Sequence, residues 1–199
     1  MRRESSTVVV LVGEVGEGLL AGLARSANVS VARAAAAGPP GQEQRPGWEP
    51  GAAAMREAAR RASTYVVVPD DPLAAVASSW RAMWDLSAQP GAAAFEQAAA
   101  DALAAWRARQ FELPDYYLVV APALAGDNGQ DLYLGPLRAA RPRRVAVAAV
   151  TDIPAQASQL ARALRSLEHG PWWPPLDELV RAIRGFYPGA IGQAEPAAR

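Results

Sequence analysis

The sequence predicts an α/β fold in which a mostly parallel, five-stranded sheet is covered by helices on both faces. Three observations lead to this class: five short apolar segments recur along the chain, helical segments separate them, and the apolar segments lack polar alternation. The predicted strands span Thr7–Val12, Asn28–Ala32, Thr64–Val68, Tyr116–Ala121 and Arg144–Val150. The first, third and fifth are almost entirely Val and Ala, which is typical of parallel strands buried on both faces.

Helices are predicted between these strands and after the last one. Two of them have clear start signals, Asp71 before Pro72 and Thr151 or Asp152 before Pro154, because a capping side chain followed by proline favours a first helical turn. The predicted helices span Leu19–Ser26, Ala52–Ala62, Pro72–Leu86, Ala92–Gln110, Ile153–Glu168 and Pro175–Arg184. The alternation indicates a doubly wound sheet, either Rossmann-like or flavodoxin-like. The stretch Asp71–Asp115 forms a long helical insertion between strands 3 and 4.

The chain length of 199 residues fits a single domain. We expect that domain to occupy residues 1–187. The tail of residues 188–199 has few apolar anchors and is expected to be disordered. No apolar run approaches the roughly 20 residues that span a bilayer, and the N-terminal residues do not form a signal peptide. A cytoplasmic location without membrane contact is therefore expected.

The residue inventory excludes several chemistries. The chain has no cysteine and no lysine, and His169 is its single histidine. Thiol nucleophiles, Schiff bases, the P-loop lysine and zinc sites with two histidines are therefore impossible. The formal net charge of zero argues against general binding to nucleic acid. Exclusive use of arginine, together with alanine runs, is typical of a high-GC bacterial genome.

Ligands of open α/β sheets bind beyond the carboxyl ends of the strands, and here those ends are rich in glycine and carboxylates. The predicted ligand-binding residues follow the first, third and fifth strands. They are Gly13, Glu14, Gly16, Glu17, Gly18, Asp70, Asp71, Thr151 and Asp152. No catalytic residue and no cofactor is assigned.

The glycine turn permits a dinucleotide interpretation, because Gly13, Gly16 and Gly18 stand between a strand and a helix. Arg33 lies about twenty residues farther on, where a basic side chain meets a 2′-phosphate in such folds. However, the spacing GxxGxG reverses the usual GxGxxG, and two glutamates within the turn repel phosphate. A tight turn that needs positive φ is the simpler explanation.

The carboxylates permit a metal interpretation. Glu14, Asp70 and Asp71 can share a magnesium ion if the first and third strands are neighbours. This arrangement resembles the Toprim plan of nucleases and topoisomerases, with a glutamate after one strand and two aspartates after a later one. Here the aspartates are adjacent, so that their side chains point in opposite directions on an extended strand. The simpler explanation is that Asp71 caps a helix and Asp70 is solvated.

Three functions stay open at this stage. The first is binding of a small molecule or nucleotide at the carboxyl ends of the strands. The second is a non-catalytic scaffold or dimerisation domain that uses the paired tryptophans Trp172 and Trp173 as contacts, since tryptophan is enriched at interfaces. The third is a magnesium-dependent phosphotransfer or nuclease-like enzyme. A homodimer is compatible with all three.

Overall fold

The computed structural model describes residues 6–34, 47–84, 91–122, 130–150 and 155–186. Five strands and seven α-helices lie in these ranges. In chain order they are β1 (Thr7–Val12), α1 (Glu17–Ala24), β2 (Val29–Val31), α2 (Glu49–Ala58), β3 (Tyr65–Val68), α3 (Ala74–Trp84), α4 (Gly91–Arg107), β4 (Tyr116–Pro122), α5 (Arg138–Ala140), β5 (Val145–Val150), α6 (Gln156–Arg165) and α7 (Leu176–Gly185). A π-helical turn at Tyr133–Leu137 leads into α5, and a 3₁₀ turn at Pro142–Arg144 follows it.

All five strands are parallel, in the order β2-β3-β1-β4-β5. The predicted five-stranded parallel α/β fold is confirmed, and β1 lies at its centre. The order differs from the two common doubly wound orders, 3-2-1-4-5 and 2-1-3-4-5, because β3 lies between β1 and β2. The chain between β3 and β4 contains α3 and α4, which pack against each other.

The sheet separates two hydrophobic cores. Alternate side chains of β1 enter opposite cores, with Val8, Val10 and Val12 on one side and Val9 and Leu11 on the other, as the two-residue period of a strand requires. Both sets are buried, because helices cover both faces. Helices α1 and α6 cover the smaller core, and α2, α3, α4, α7 and the π-helical turn cover the larger one.

The division of helices between faces follows from the path of the chain. From β1 the chain crosses toward one edge of the sheet, to β2, and every later crossover moves toward the opposite edge. Right-handed crossovers in opposite directions place their helices on opposite faces. The chain therefore leaves β1 toward the face of α1, whereas it leaves β3 and β4 toward the other face. Where neighbouring parallel strands lead to opposite faces of a sheet, a crevice opens at their carboxyl ends. Here such a crevice lies on each side of β1, next to β3 and next to β4.

The sequence missed the helical segment between β4 and β5. Gly135 and Pro136 lie within its π-helical turn, and both residue types normally argue against a helix. None of the described helices is long and apolar enough to cross a bilayer. Residues 188–199, the predicted tail, lie outside the described residues.

Replacing Gly51 of α2 with alanine should lower the free energy of unfolding by about 2–3 kcal/mol. The added carbon overlaps backbone atoms of Asp71 and Pro72, and backbone moves aside less easily than a side chain. Gly185→Ala in α7 is the matched control, because no described residue lies within 4 Å of its added carbon. Urea unfolding measures the free energy of unfolding of the wild type and of both variants. Equal stability of Gly51→Ala and wild type would contradict the close approach of α2 to this turn.

Candidate functional site

The turn after β1 begins at Gly13, which has a φ of +123°, a conformation that favours glycine. A Cβ atom at Gly13 would lie 2.7 Å from Nε2 of Gln130 and 2.8 Å from the carbonyl oxygen of Val120. Gln130 is buried and donates a hydrogen bond of 2.9 Å to that same carbonyl. The turn after β1 is therefore packed against the end of β4, and both conformation and packing explain the glycine.

The other two glycines of this turn lie in open space. Neither Gly16 nor Gly18 has a positive φ, and no heavy atom of the described residues lies within 4 Å of the position that a Cβ would take. Gly16 is the N-cap of α1 and provides no capping side chain. Within the described ranges, the backbone N–H groups of Glu17 and Gly18 have no acceptor. The first turn of α1 thus offers two amide donors, at the positive end of the helix dipole.

Ionic contacts at this edge join α1 to the ends of β2 and β3. Arg33 donates two hydrogen bonds, of 2.7 and 2.8 Å, to the carboxylate of Glu17. This contact lowers the pKa of Glu17 and raises that of Arg33, to which the charge of Asp70 also contributes. Asp70 accepts a hydrogen bond of 3.1 Å from the backbone N–H of Ala34. Arg33 therefore lies between two carboxylates, where its charge is already partly neutralised.

Asp71 points away from this edge and into the larger core. One carboxylate oxygen accepts hydrogen bonds from the N–H of Leu73, at 3.0 Å, and from the hydroxyl of Tyr117, at 3.1 Å. The other accepts a short hydrogen bond from the hydroxyl of Tyr133. Burial raises the pKa of Asp71 to about 6, although these three hydrogen bonds oppose the shift. Burial also raises the pKa of both tyrosines, which keeps their hydroxyl groups protonated and donating.

The structure brings together some of the predicted site residues and separates others. β1 and β3 are neighbours, as the metal interpretation required, and Glu14 is exposed. Asp71, however, is occupied by the two tyrosines and by the start of α3, where its bond to Leu73 is a capping contact. Within the described ranges, no group of three or more metal-ligating side chains is close enough to share an ion. Thr151 and Asp152 lie outside the described residues.

Comparisons with protein-family models, with curated proteins and with solved structures found no significant match to this chain.

A second surface of functional interest lies at the opposite, amino-terminal edge of the sheet. Trp172 is 47% exposed there and borders a groove of about 450 Å³ together with Trp106, Trp173 and Pro175. Trp173 itself is buried. Its indole N–H donates to the carbonyl of Pro114 at 2.8 Å.

The arginines before β5 hold the loop that carries Trp172. Arg144 donates to the carbonyl groups of Gly170 and Pro171 and to that of Asp115. Its guanidinium carbon lies 4.9 Å from the ring centroids of both Tyr116 and Trp172, a cation–π arrangement. These contacts fix the exposed Trp172 in place.

Gln130, Tyr117 and Tyr133 were not predicted as parts of any site. Tyr117 has the appearance of an ordinary strand residue, and Tyr133 belongs to the missed helical segment. The sequence feature that could have identified this cluster is an aspartate at the end of a strand together with two tyrosines in apolar segments. A buried carboxylate requires hydrogen-bond donors, and tyrosine hydroxyl groups provide them.

The stability of the protein should fall as the pH rises from about 4 to about 6.5. Asp71 has a pKa of about 6 when folded, against 3.8 as an unperturbed group, so that the folded state binds more protons within this window. The difference between the two pKa values corresponds to about 3 kcal/mol of unfolding free energy. This stabilisation is present below pH 4 and is lost above pH 6. Glu17 and Glu96 have lowered pKa values in the folded protein. Their contribution to stability therefore has the opposite pH dependence, because it is lost as the pH falls.

Asp71→Asn isolates this contribution, because the amide oxygen accepts the bonds from Leu73 and Tyr117 while the amide nitrogen donates toward Tyr133. We expect its unfolding free energy to lose the downward slope between pH 4 and 6.5 in urea titrations. Asp70→Asn is the matched control and should keep the slope. A slope that persists in Asp71→Asn would assign the pH dependence to other groups.

Proposed function

We propose that this protein binds a small, hydroxyl-bearing molecule, of nucleoside or sugar type, at the carboxyl edge of its sheet beside β1. The binding elements are the turn Gly13–Gly18 and the side chains of Glu14, Arg33 and Asp70. The position is the one that parallel sheets use for ligands, next to a strand whose chain leaves toward the opposite face from its neighbours.

The observation that carries this proposal is the open space at Gly18 among the described residues. Glycine in a turn is usually explained by positive φ or by tight packing, and both explanations apply to Gly13. Gly16 is the N-cap of α1, a position where glycine is common. None of these explanations applies to Gly18. The remaining reason for glycine there is a close approach of the backbone to a ligand, which the N–H groups of Glu17 and Gly18 would bind.

The charges select the class of ligand. The described residues of this edge carry three carboxylates, on Glu14, Glu17 and Asp70, and one guanidinium, on Arg33. A polyphosphate would be repelled, since one unpaired charge at about 5 Å costs roughly 3 kcal/mol at an effective dielectric constant near 20. Carboxylates accept hydrogen bonds from hydroxyl groups. A nucleoside or nucleoside monophosphate fits this edge better than a dinucleotide or triphosphate.

Thermal unfolding in the presence of adenosine, guanosine, their 5′-monophosphates, NAD⁺ and ATP tests this assignment, each with and without magnesium. A ligand at a hundred times its dissociation constant stabilises by about 2.7 kcal/mol, which raises the midpoint by roughly 5–10 °C in a chain of this size. We expect a shift with a nucleoside or monophosphate. A shift that depends on magnesium would favour the phosphotransfer alternative, and no shift at all would contradict the proposal.

Gly18→Ala separates ligand binding from folding. The methyl group enters open space at the second position of α1, so that stability should stay equal or rise by about 0.5–1 kcal/mol. The ligand-induced shift should disappear, because the methyl group occupies the approach to the free amides. Gly185→Ala, a glycine of α7 with equally open surroundings, should keep the shift. An unchanged ligand response in Gly18→Ala would place the binding site elsewhere.

The second candidate function is partner binding through the surface around Trp172, as a scaffold or dimerisation domain. The observation that favours it is an exposed tryptophan held on the guanidinium of Arg144. A large side chain that is already fixed loses little conformational entropy on binding, and such residues are interface hot spots.

Trp172→Ala should weaken any self-association or partner association by at least tenfold, the range of a hot-spot residue. Light scattering across a concentration series measures self-association directly. Trp84→Ala is the control, because Trp84 is exposed to a similar degree, 39%, at the end of α3. A monomer at all concentrations with both variants unchanged would leave dimerisation without support.

A further inference from the structure

A cavity of about 190 Å³ lies at the amino-terminal edge of the sheet, away from the site proposed above. It is bounded by α2 on one side and by the chain between α4 and β4 on the other. Its apolar wall includes Val8, Met55 and Phe111, which are all buried. The ring of Trp48 stacks on Phe111, with centroids 6.4 Å apart, which fixes this wall. An engineered apolar cavity of about 150 Å³ holds a benzene ring, so that this one accepts a ring or a short alkyl chain.

The mouth of the cavity carries Arg56, Arg109 and Glu112, all exposed. Arg56 donates a hydrogen bond of 3.1 Å to the carbonyl of Gln110. Within the described ranges, the side chains of Arg109 and Glu112 have no hydrogen-bonding or ionic partner. Two guanidinium groups against one carboxylate give the mouth a net positive charge.

The backbone at Arg109 is the second observation. Helix α4 ends in a Schellman motif, since the N–H of Gln110 bonds to the carbonyl of Ala105 and the N–H of Arg109 to that of Trp106. Arg109 occupies the left-handed position of this motif, with a φ of +57°, where glycine is the usual residue. An arginine there costs stability that glycine would not. Residues held in such conformations concentrate at ligand sites.

We propose that this cavity binds a small carboxylate with a compact apolar body, such as an aromatic ring or a chain of about six carbons. The body lies against Val8, Met55 and Phe111, and the carboxylate meets the guanidinium groups of Arg109 and Arg56. Guanidinium binds carboxylate through two parallel hydrogen bonds. This binding site accounts for a side chain at a position where the backbone alone would select glycine.

The test uses phenylacetate and hexanoate as probes, with 2-phenylethanol and hexan-1-ol as uncharged counterparts of the same shape. Binding is measured on the whole chain by shifts of backbone amide signals in titrations. We expect both acids to bind with saturating shifts at Phe111 and its neighbours, and both alcohols to bind at least tenfold more weakly. Acids that do not bind, or alcohols that bind as tightly as the acids, would overturn the proposal.

Arg109→Gly is the decisive variant, because it removes the guanidinium and relieves the backbone at the same time. The thermal midpoint should stay equal or rise by up to about 3 °C, while the affinity for both acids falls at least tenfold, the loss expected for a charge-assisted hydrogen bond. Asn28→Gly is the matched control, since Asn28 is the other described non-glycine residue with positive φ, at 64°. Because asparagine tolerates the left-handed region, Asn28→Gly should change the midpoint little and leave the affinity for both acids unchanged.

Two further variants define the role of charge. Arg56→Gln should weaken acid binding by a smaller factor, because Arg56 also bonds to the backbone of Gln110. Glu112→Gln should strengthen acid binding by about twofold to fivefold, since it removes the negative charge from the mouth. Unchanged acid affinity in Arg109→Gly would exclude the guanidinium from any binding role and overturn the assignment.

Discussion

The buried carboxylate of Asp71 is the interaction on which one whole face of the molecule depends. It joins the end of β3 to β4 through Tyr117, to the π-helical turn through Tyr133, and to the start of α3 through Leu73. Burying a carboxylate is unfavourable unless donors surround it, and the raised pKa reflects the unfavourable part that remains. The backbone of α2 lies against the same point, because Gly51 has no side chain to prevent it. Three helical elements, α2, α3 and the π-helical turn, therefore take their positions from one group at the end of one strand.

This arrangement leaves the two edges of the sheet with different physical properties. At the carboxyl edge, Asp71 turns inward, and the described groups that still face solvent are glycine amides, three carboxylates and one arginine. At the amino edge, the walls are apolar and aromatic, and the charged groups around them are mainly arginines. Hydroxyl-bearing molecules suit the first environment, and compact carboxylates or protein surfaces suit the second. Because the edges lie at opposite ends of the strands, a ligand at one does not obstruct the other.

The layers of this fold could be predicted from the sequence, because a strand that is buried on both faces is recognised by a short apolar run. Such a run is a local feature of the sequence. Each predicted strand is present within two residues of its bounds. The order of the strands could not be predicted, since β3 lies between β1 and β2 through contacts distant in sequence. The π-helical turn was missed because Pro136 obscures it, and with it the partner of Asp71. Of the predicted site, the glycine turn and Asp70 lie at one edge as expected, but the orientation of Asp71 depended on tyrosines 46 and 62 residues away.

Three positions share one argument about residue choice. Asn28 and Arg109 hold positive φ without being glycine, whereas Gly18 is glycine without positive φ and without crowding from any described residue. Asn28 needs no further explanation, because asparagine tolerates the left-handed region. The side chain of arginine does not make the left-handed region more favourable in this way. A glycine in the first turn of a helix, in turn, weakens that helix. A departure from the locally favoured residue, without a packing reason, is expected at functional positions. Gly18 and Arg109 are such departures, and among the described residues each borders an open space that admits a ligand group.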